Sequence, residues 1–414
     1  MTEPSTPKRG LSPILIIFFT ILIDMIGFGI VIPILPLYSL HFNATDWQIG
    51  ILFGSFSLMQ LIFAPLLGRW SDRLGRRPVL LFSILGTSLS FLIMGLANTL
   101  WLLFLGRLID GASGGNIPTA QAYIADITPL EKRSGAMGLI GAAFGLGFVI
   151  GPAIGGLLGH YSIQLPFYVA AGLALLNGIA IYLFLPESLN EAQRKAHPAV
   201  SGSISGSMLQ NFLKVKNGPL GTVMWVSLLS TLAFSLVTAL FTLFTAHRLQ
   251  WHARENGWLF AYIGMLGVLI QGGMLRRMVP KVGEKPLIIV GSVFLFISMA
   301  LLPISSNLIW VVLASTALAI GNSLVTPLVS GLASKSADAQ SQGIVLGVLQ
   351  STASLGRMIG PMVGGFLLQY DANTNNALYG ISPFWFSALL MVATLVVALR
   401  LPGNQDPTQN AKAS

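Results

Sequence analysis

The chain has 414 residues and not one cysteine, which excludes disulfides, thiolate metal sites and a cysteine nucleophile. Charge is nearly as scarce. Asp, Glu, Lys and Arg together make up 9% of the residues, against about 25% in a soluble domain. Acidic residues are the rarer sign, 14 against 23 basic. No phosphate-binding loop is present, so ATP is not expected to power the protein directly. The five histidines (His41, His160, His197, His247 and His252) fall in loops or at segment ends, without metal-ligand spacing. No residues are spaced for catalysis, and neither an enzyme nor a bound cofactor or metal is expected.

What the chain has instead is apolar length. Hydrophobic residues make up 54% of it and mean hydropathy is +0.76. Runs of roughly 20 apolar residues match a ~30 Å hydrocarbon core. Twelve such spans are predicted, at 11–40, 47–67, 78–98, 101–124, 134–158, 165–186, 218–247, 254–278, 286–304, 307–332, 342–369 and 380–401. The fold class is all-α integral membrane, with six helices (11–186), a polar linker (187–217) and six more (218–401). Tails of 1–10 and 402–414 flank them. The linker carries a Ser/Gly stretch at 201–207 together with Arg194, Lys195, Lys214 and Lys216. After Lys8 and Arg9 the first apolar run is too long for a cleaved signal and has no small-residue cleavage site.

Basic residues set the orientation. Arg107 and Arg357 lie in mid-span, and Arg248 and Arg254 lie at or beside span ends opposite the N-terminus. Every other Lys and Arg falls on the N-terminal side, so the termini and linker are expected in the cytoplasm. The net charge of +9 is thus an orientation signal, and no nucleic-acid partner is expected. Trp47, Trp101, Trp251, Trp258, Trp310 and Trp385 fall near the opposite span ends, as an aromatic belt does.

The chain also repeats itself at an offset of 206–209 residues. Gly75 to Pro78 matches Gly283 to Pro286, Trp101 matches Trp310, and Gly115-Asn116 matches Gly321-Asn322. Gly151-Pro152 with Gly155-Gly156 matches Gly360-Pro361 with Gly364-Gly365. Two parallel six-helix repeats around a mid-membrane site form a transporter plan.

Four charges stand in the middle of spans: Asp24, Arg107, Asp110 and Arg357. Such residues cost several kcal/mol unless paired, and they mark interior pathways. Asp24 is ten to thirteen residues into span one, roughly 15–20 Å along its axis. Burial raises the pKa of such a carboxylate and a nearby arginine lowers it, so the group can load and release a proton. Arg107 and Asp110 are i, i+3 on one face, able to pair with each other or with Asp24. A permanent ion pair fixing spans one and four fits the same residues. Arg357 needs Asp24, Asp110, a carbonyl, water or an anionic substrate group. Gln60, Asn116, Gln121, Gln271, Asn322 and Gln350 are uncharged candidates for substrate contact, and each equally fits a helix–helix hydrogen bond. The 24 Phe and 14 Met residues suit an adaptable cavity or ordinary packing against lipid.

Motifs in these spans resemble the major facilitator superfamily along the whole chain. After span two stands Gly68-Arg-Trp-Ser-Asp72-Arg73-Leu-Gly75-Arg76-Arg77-Pro78, the most specific signature. Span one reads Asp24-Met-Ile-Gly27-Phe-Gly29 through Pro33 and Pro36, like twelve-span drug exporters. Span four reads Leu105-Gly106-Arg107-Leu-Ile-Asp110-Gly111, similar to a motif linked to proton transfer. Span five reads Gly147-Phe-Val-Ile-Gly151-Pro152-Ala-Ile-Gly155-Gly156, similar to the antiporter motif. Phe244 to Trp251 and Gly283-Glu-Lys285 resemble the tetracycline-efflux-like group. That group carries further acids in spans three and nine and a histidine in span eight. Here Ser90, an acid-free span nine and Gly267 stand in their places, and Arg357 is an addition. These departures point away from tetracycline, carried as a metal complex, as substrate.

The resemblance implies a cytoplasmic latch. Asp72 would accept hydrogen bonds or meet a helix N-terminus of the other half, and Arg76 would pair with Asp126. Glycines 141, 145, 147, 151 and 155 leave bare backbone on span five, as Gly356, Gly360 and Gly364 do on span eleven. Pro152 and Pro361 should bend both helices. These stripes fit a hinged contact between the halves or ordinary helix packing. The expectation is a monomeric, proton-coupled exporter of amphipathic small molecules in a bacterial inner membrane, in contact with lipid and protons. Asp24, Arg107 and Asp110 would couple the protons. A dedicated exporter of one metabolite, lipid or siderophore, anionic in one version, is the first alternative. A non-transporting sensor on the same fold is the second.

Overall fold

The computed structural model describes residues 12–114, 116–189, 219–335, 342–374 and 379–401. Most of the expected linker and both tails lie outside the described residues. Helices account for nearly all of the rest, and no strand is found among the described residues. Spans one to three are Pro13–Leu40, Asp46–Leu74 and Arg76–Gly95. Span four is divided into Leu100–Ser113 and Asn116–Ile127. Spans five, six and seven are Leu130–Gly159, Leu165–Phe184 and Pro219–Leu249. Span eight runs Ala253–Leu269, passes through a π-helical turn at Ile270–Met274 and ends as Leu275–Val282. Span nine is Glu284–Leu301 with a 3₁₀ turn to Ile304, followed by Leu308–Lys335, Gln342–Thr374 and Ile381–Ala398. Ten of these helices are long and apolar enough to cross a membrane. Spans four and eleven complete the twelve.

Two boundaries correct the sequence reading. Span nine begins at Glu284, so an acid does stand at its first residue. Span eleven continues to Thr374 and takes in Asp371, so Arg357 has an acid on its own helix, though almost four turns away.

Each half has its own apolar core. One is built on Ile17, Ile30, Tyr38, Leu103 and Phe167, the other on Phe241, Ile288, Leu318, Phe384 and Met391. A third, smaller cluster joins the halves: Ala44 and Ile49 pack with Leu236, Leu240, Leu243 and Leu368. They run from the middle of span seven to the span ends remote from the basic loops, here called the far end. The opposite end, which carries Arg69, Arg73, Arg76, Arg77, Arg276 and Arg277, is the basic end.

The contacts between halves run along spans two and eleven and along five and eight, with span one also touching span seven. At the far end the backbones nearly touch. A Cβ built on Gly156 would lie 2.7 Å from the Gly257 Cα, and one built on Gly365 would lie 3.0 Å from the Gly50 Cα. Toward the basic end the helices part. A Cβ on Gly145 meets only Val268, and one on Gly141 meets nothing within 4 Å, although 141 lies on the same helical sector as 145 and 156. Gly68 and Gly347 are equally open on the other seam. The halves therefore close at the far end and separate at the basic end.

The repeat seen in the sequence survives in the backbone. Gly75 and Gly283, its matched pair, take positive φ values of 111° and 88°. Each makes the sharp turn that sends the chain back into the membrane, a conformation that costs glycine nothing.

Candidate functional site

Span four brings its charges together one turn apart. Arg107 donates to the Asp110 carboxylate at 3.0 Å, with 1% and 9% of the two side chains exposed. The Arg107 guanidinium lies over the Phe56 ring at 4.2 Å, with Phe53 at 5.9 Å. Ser90 of span three is fully buried, donates to the Thr87 carbonyl at 2.8 Å and lies beside the same carboxylate. The position where tetracycline exporters carry an extra acid thus lies against this ion pair. Gly111 allows the approach, because a Cβ there would run into the Phe56 carbonyl.

The other charges are placed apart. Asp24 is half-buried on span one, and no ion pair joins it to Arg107 among the described residues. Arg357 stands midway along span eleven and is half-buried, donating to the Ser354 hydroxyl at 2.9 Å. Gln60 donates to the Gly114 carbonyl at 3.3 Å, bracing the break in span four. Asn322 accepts from Thr326 at 3.0 Å. Gln121, Gln271 and Gln350 are exposed, and the Asn116 side chain lies outside the described residues.

At the basic end Arg76, buried, pairs with Asp72 at 2.5 Å and with Asp126 at 3.1 Å. It also donates to Ser71 at 2.7 Å. Among the described residues Asp72 thus pairs within its own half and not with a helix of the other. Arg77 donates to the Tyr182 carbonyl, while Arg73 is exposed. Glu187, which sequence reasoning assigned to the linker, accepts from the backbone N–H of Arg76 (2.8 Å) and Arg77 (3.2 Å). It is an anion at the N-terminus of span three, where the helix dipole favours one. The prime sign of it was a carboxylate just after Pro186 at the end of a span.

The glycine stripes serve different neighbours from those expected. Gly147, Gly151 and Gly155 pack against span one at Met25, Ile26 and Ile30, inside their own half. Gly29 accommodates Pro152 in the same contact. Gly356, Gly360 and Gly364 pack likewise against span seven. The seam uses the next residues round, Gly156 and Gly365, because one residue turns a helix by about 100°.

The far end carries a polar lock that sequence reasoning missed. Tyr379, just before span twelve, donates to Asp46 at the start of span two at 3.1 Å. Gln369 of span eleven accepts from the Asp46 backbone N–H at 3.1 Å, and His247 of span seven stacks on the Tyr379 ring at 4.1 Å. Asp46 and Tyr379 are 9% and 6% exposed. Burial first, and then the Asp46 carboxylate, push the Tyr379 phenol up, so it remains a donor. These partners are 333 residues apart, and nothing local signals the contact.

The sequence profile of the Major Facilitator Superfamily matches residues 17–361 and 275–414. The chain belongs to the major facilitator superfamily. Among superfamily relatives it is 33% identical to the class D tetracycline resistance protein of Salmonella ordonez, over 93% of this chain and 97% of that one. It is 30% identical to multidrug resistance protein 2 of Bacillus subtilis, over 92% and 93%. The crystal structure of the human organic anion transporter MFSD10 (TETRAN) superposes with a TM-score of 0.71 at 25% identity, covering 93% of this chain and 98% of that one. As in other superfamily members, the protein is a multi-pass integral membrane transporter of small molecules and not an enzyme.

Proposed function

We propose that the protein is a proton-coupled exporter of drugs or other amphipathic small molecules, working by alternating access. It would sit in a bacterial inner membrane with both termini and the linker in the cytoplasm, because the basic loops mark the cytoplasmic side. The closed far end and parted basic end then describe a cytoplasm-open state, ready to receive substrate from the cell interior. The observation that carries the proton coupling is the buried Arg107–Asp110 pair. A carboxylate held by one arginine in a wall of Phe and Ser is neutralised either by that arginine or by a proton, so proton uptake and release of the arginine are alternatives. Asp24, half-buried on span one, is the second acid of the cycle. The gradient alone supplies the energy, without a cofactor.

Everted vesicles energised to an acidic interior and loaded with a pH-sensitive dye test this. Several unrelated amphipathic compounds are expected to release protons through the wild type. Asp24→Asn or Asp110→Asn should reduce that release by about 100-fold, the scale of a lost proton-transfer group. Normal release in both variants would end the assignment.

The far-end lock predicts a separate effect. Tyr379→Phe removes the only side-chain donor that Asp46 has among the described residues. An unsatisfied buried acceptor costs about 1–3 kcal/mol, and this cost falls only on the cytoplasm-open state. Leu243→Cys, buried in the joining cluster and otherwise the only cysteine in the chain, should be labelled about fivefold faster or more in the Tyr379→Phe background. An unchanged labelling rate would show that the lock does not hold the seam.

A further inference from the structure

We propose that the substrate carries an acidic head group, a carboxylate or sulfonate on an apolar body, and that Arg357 is the side chain that binds it. This rests on the exporter reading and names the substrate class of the same cavity.

Two arginines stand on helices that pack against the same stretch of span two. Arg107 lies over Phe56 and Phe53. Across the helix, a Cβ on Gly54 would meet the carbonyl of Met358, the residue next to Arg357. Arg107 is neutralised by Asp110. Arg357 is not: no carboxylate lies within ion-pair distance of it among the described residues, and its one side-chain partner there is the neutral Ser354 hydroxyl. Asp371, the acid of its own helix, accepts from the backbone N–H groups of Gly380 and Ser382 at the far end. Arginine keeps its charge, so neutralisation must come from another group.

The position is aimed inward. Gly356, Gly360 and Gly364 mark the face of span eleven toward span seven, and Met358, Pro361 and Gly365 the face toward span two. Residue 357 falls in the narrow angle between them, where the two halves meet. Gln350, two turns nearer the basic end on the same sector, is exposed, and Gly347 beyond it has open space. A ligand entering from the parted basic end passes Gln350 and reaches Arg357 below the closed seam. A planar guanidinium with free donors matches the two oxygens of a carboxylate or the oxygens of a sulfonate. Phe53 of span two, half-buried one residue before Gly54, offers a ring to the apolar body.

The test uses three probes with one naphthylalkyl body: the carboxylate, its methyl ester and the matching trimethylammonium compound. Binding is measured on purified full-length protein by tryptophan fluorescence. The wild type should prefer the carboxylate. Arg357→Gln should weaken carboxylate binding by about 10- to 100-fold and change ester binding less than twofold, with Arg357→Lys restoring most of the loss. Equal loss for all three probes would make Arg357 a structural residue and overturn the proposal. So would unaltered carboxylate binding in Arg357→Gln, or a wild type that binds none of the probes or favours the ester or the cation. If Arg357→Gln does not fold, wild-type preference and the Lys variant decide. Carboxylate binding through Arg357 without proton release in vesicles would sink the proton-coupled exporter and leave the anion site standing.

Discussion

Arg107→Leu is expected to abolish transport and to destabilise the protein by about 3–5 kcal/mol, the cost of stranding one member of a buried ion pair. The stranded group is Asp110, 6% exposed, with the Ser90 hydroxyl as its remaining polar neighbour. The aromatic wall that accepts the guanidinium face of Arg107 gives a carboxylate nothing in return, since an aromatic face is negative. The double variant Arg107→Leu/Asp110→Leu separates two roles. Apolar replacement of a whole buried pair is often neutral or stabilising, so thermal stability should return close to wild type. Transport should not return, because the titratable group is gone. Melting curves in detergent together with vesicle transport check both halves. A stable, fully active double variant would reduce the pair to a helix clamp, and proton coupling would then rest on Asp24 alone.

Gly156→Leu should be the most damaging single change on the seam. Its Cβ would lie 2.7 Å from the Gly257 Cα and 2.8 Å from the Ala253 carbonyl, both backbone atoms that no side-chain rotation can move. Spans five and eight must separate to admit it, so the far end cannot close. Transport should fall by roughly 100-fold or more, since a cycle lacking one of its two states cannot turn over. The protein should still fold, since the clash is removed by opening the far end, and Leu243→Cys should react readily. Gly141→Leu, on the same sector of the same helix, meets nothing within 4 Å in this state. It should obstruct only the opposite closure, so transport is lost while Leu243→Cys stays protected. Equal labelling in the two variants would contradict a rocking cycle about these helices.

Those two glycines also mark how far the sequence could be read. Hydropathy located every span, with most ends within five residues and the end of span two seven residues short, because length and composition alone decide what crosses a bilayer. The i, i+3 pairing of Arg107 with Asp110 and the contact of Arg76 with Asp126 were legible from spacing and motif, and both are present. The partner of each glycine stripe was not. Gly155 and Gly156 read alike in the sequence, yet one faces span one and the other the opposite half. Periodicity defines faces but not what lies beyond them. The split of span four at Gly114 was hidden because Gly-Gly and Pro118 are common in membrane helices, where neighbours resatisfy the backbone. Asp46 and Tyr379 left no sign, for a contact across 333 residues exists only once two bundles have docked.

Span eight is, in mechanical terms, a shaft with a coupling in it. A π-turn holds one residue more than an α-turn, so Ile270–Met274 sets Leu275–Val282 about 100° out of phase with Ala253–Leu269. The upper part is docked on span five through Gly257 and Gly264. Gly272 and Gly273 fill the coupling with residues that have no neighbour to displace. Return of that one turn to α geometry slips the lower shaft by a single residue, swinging Arg276 and Arg277 around the axis while the docked part stays still. The basic end of this helix can therefore be re-indexed by torsion alone, independently of any tilt of the bundle that carries it.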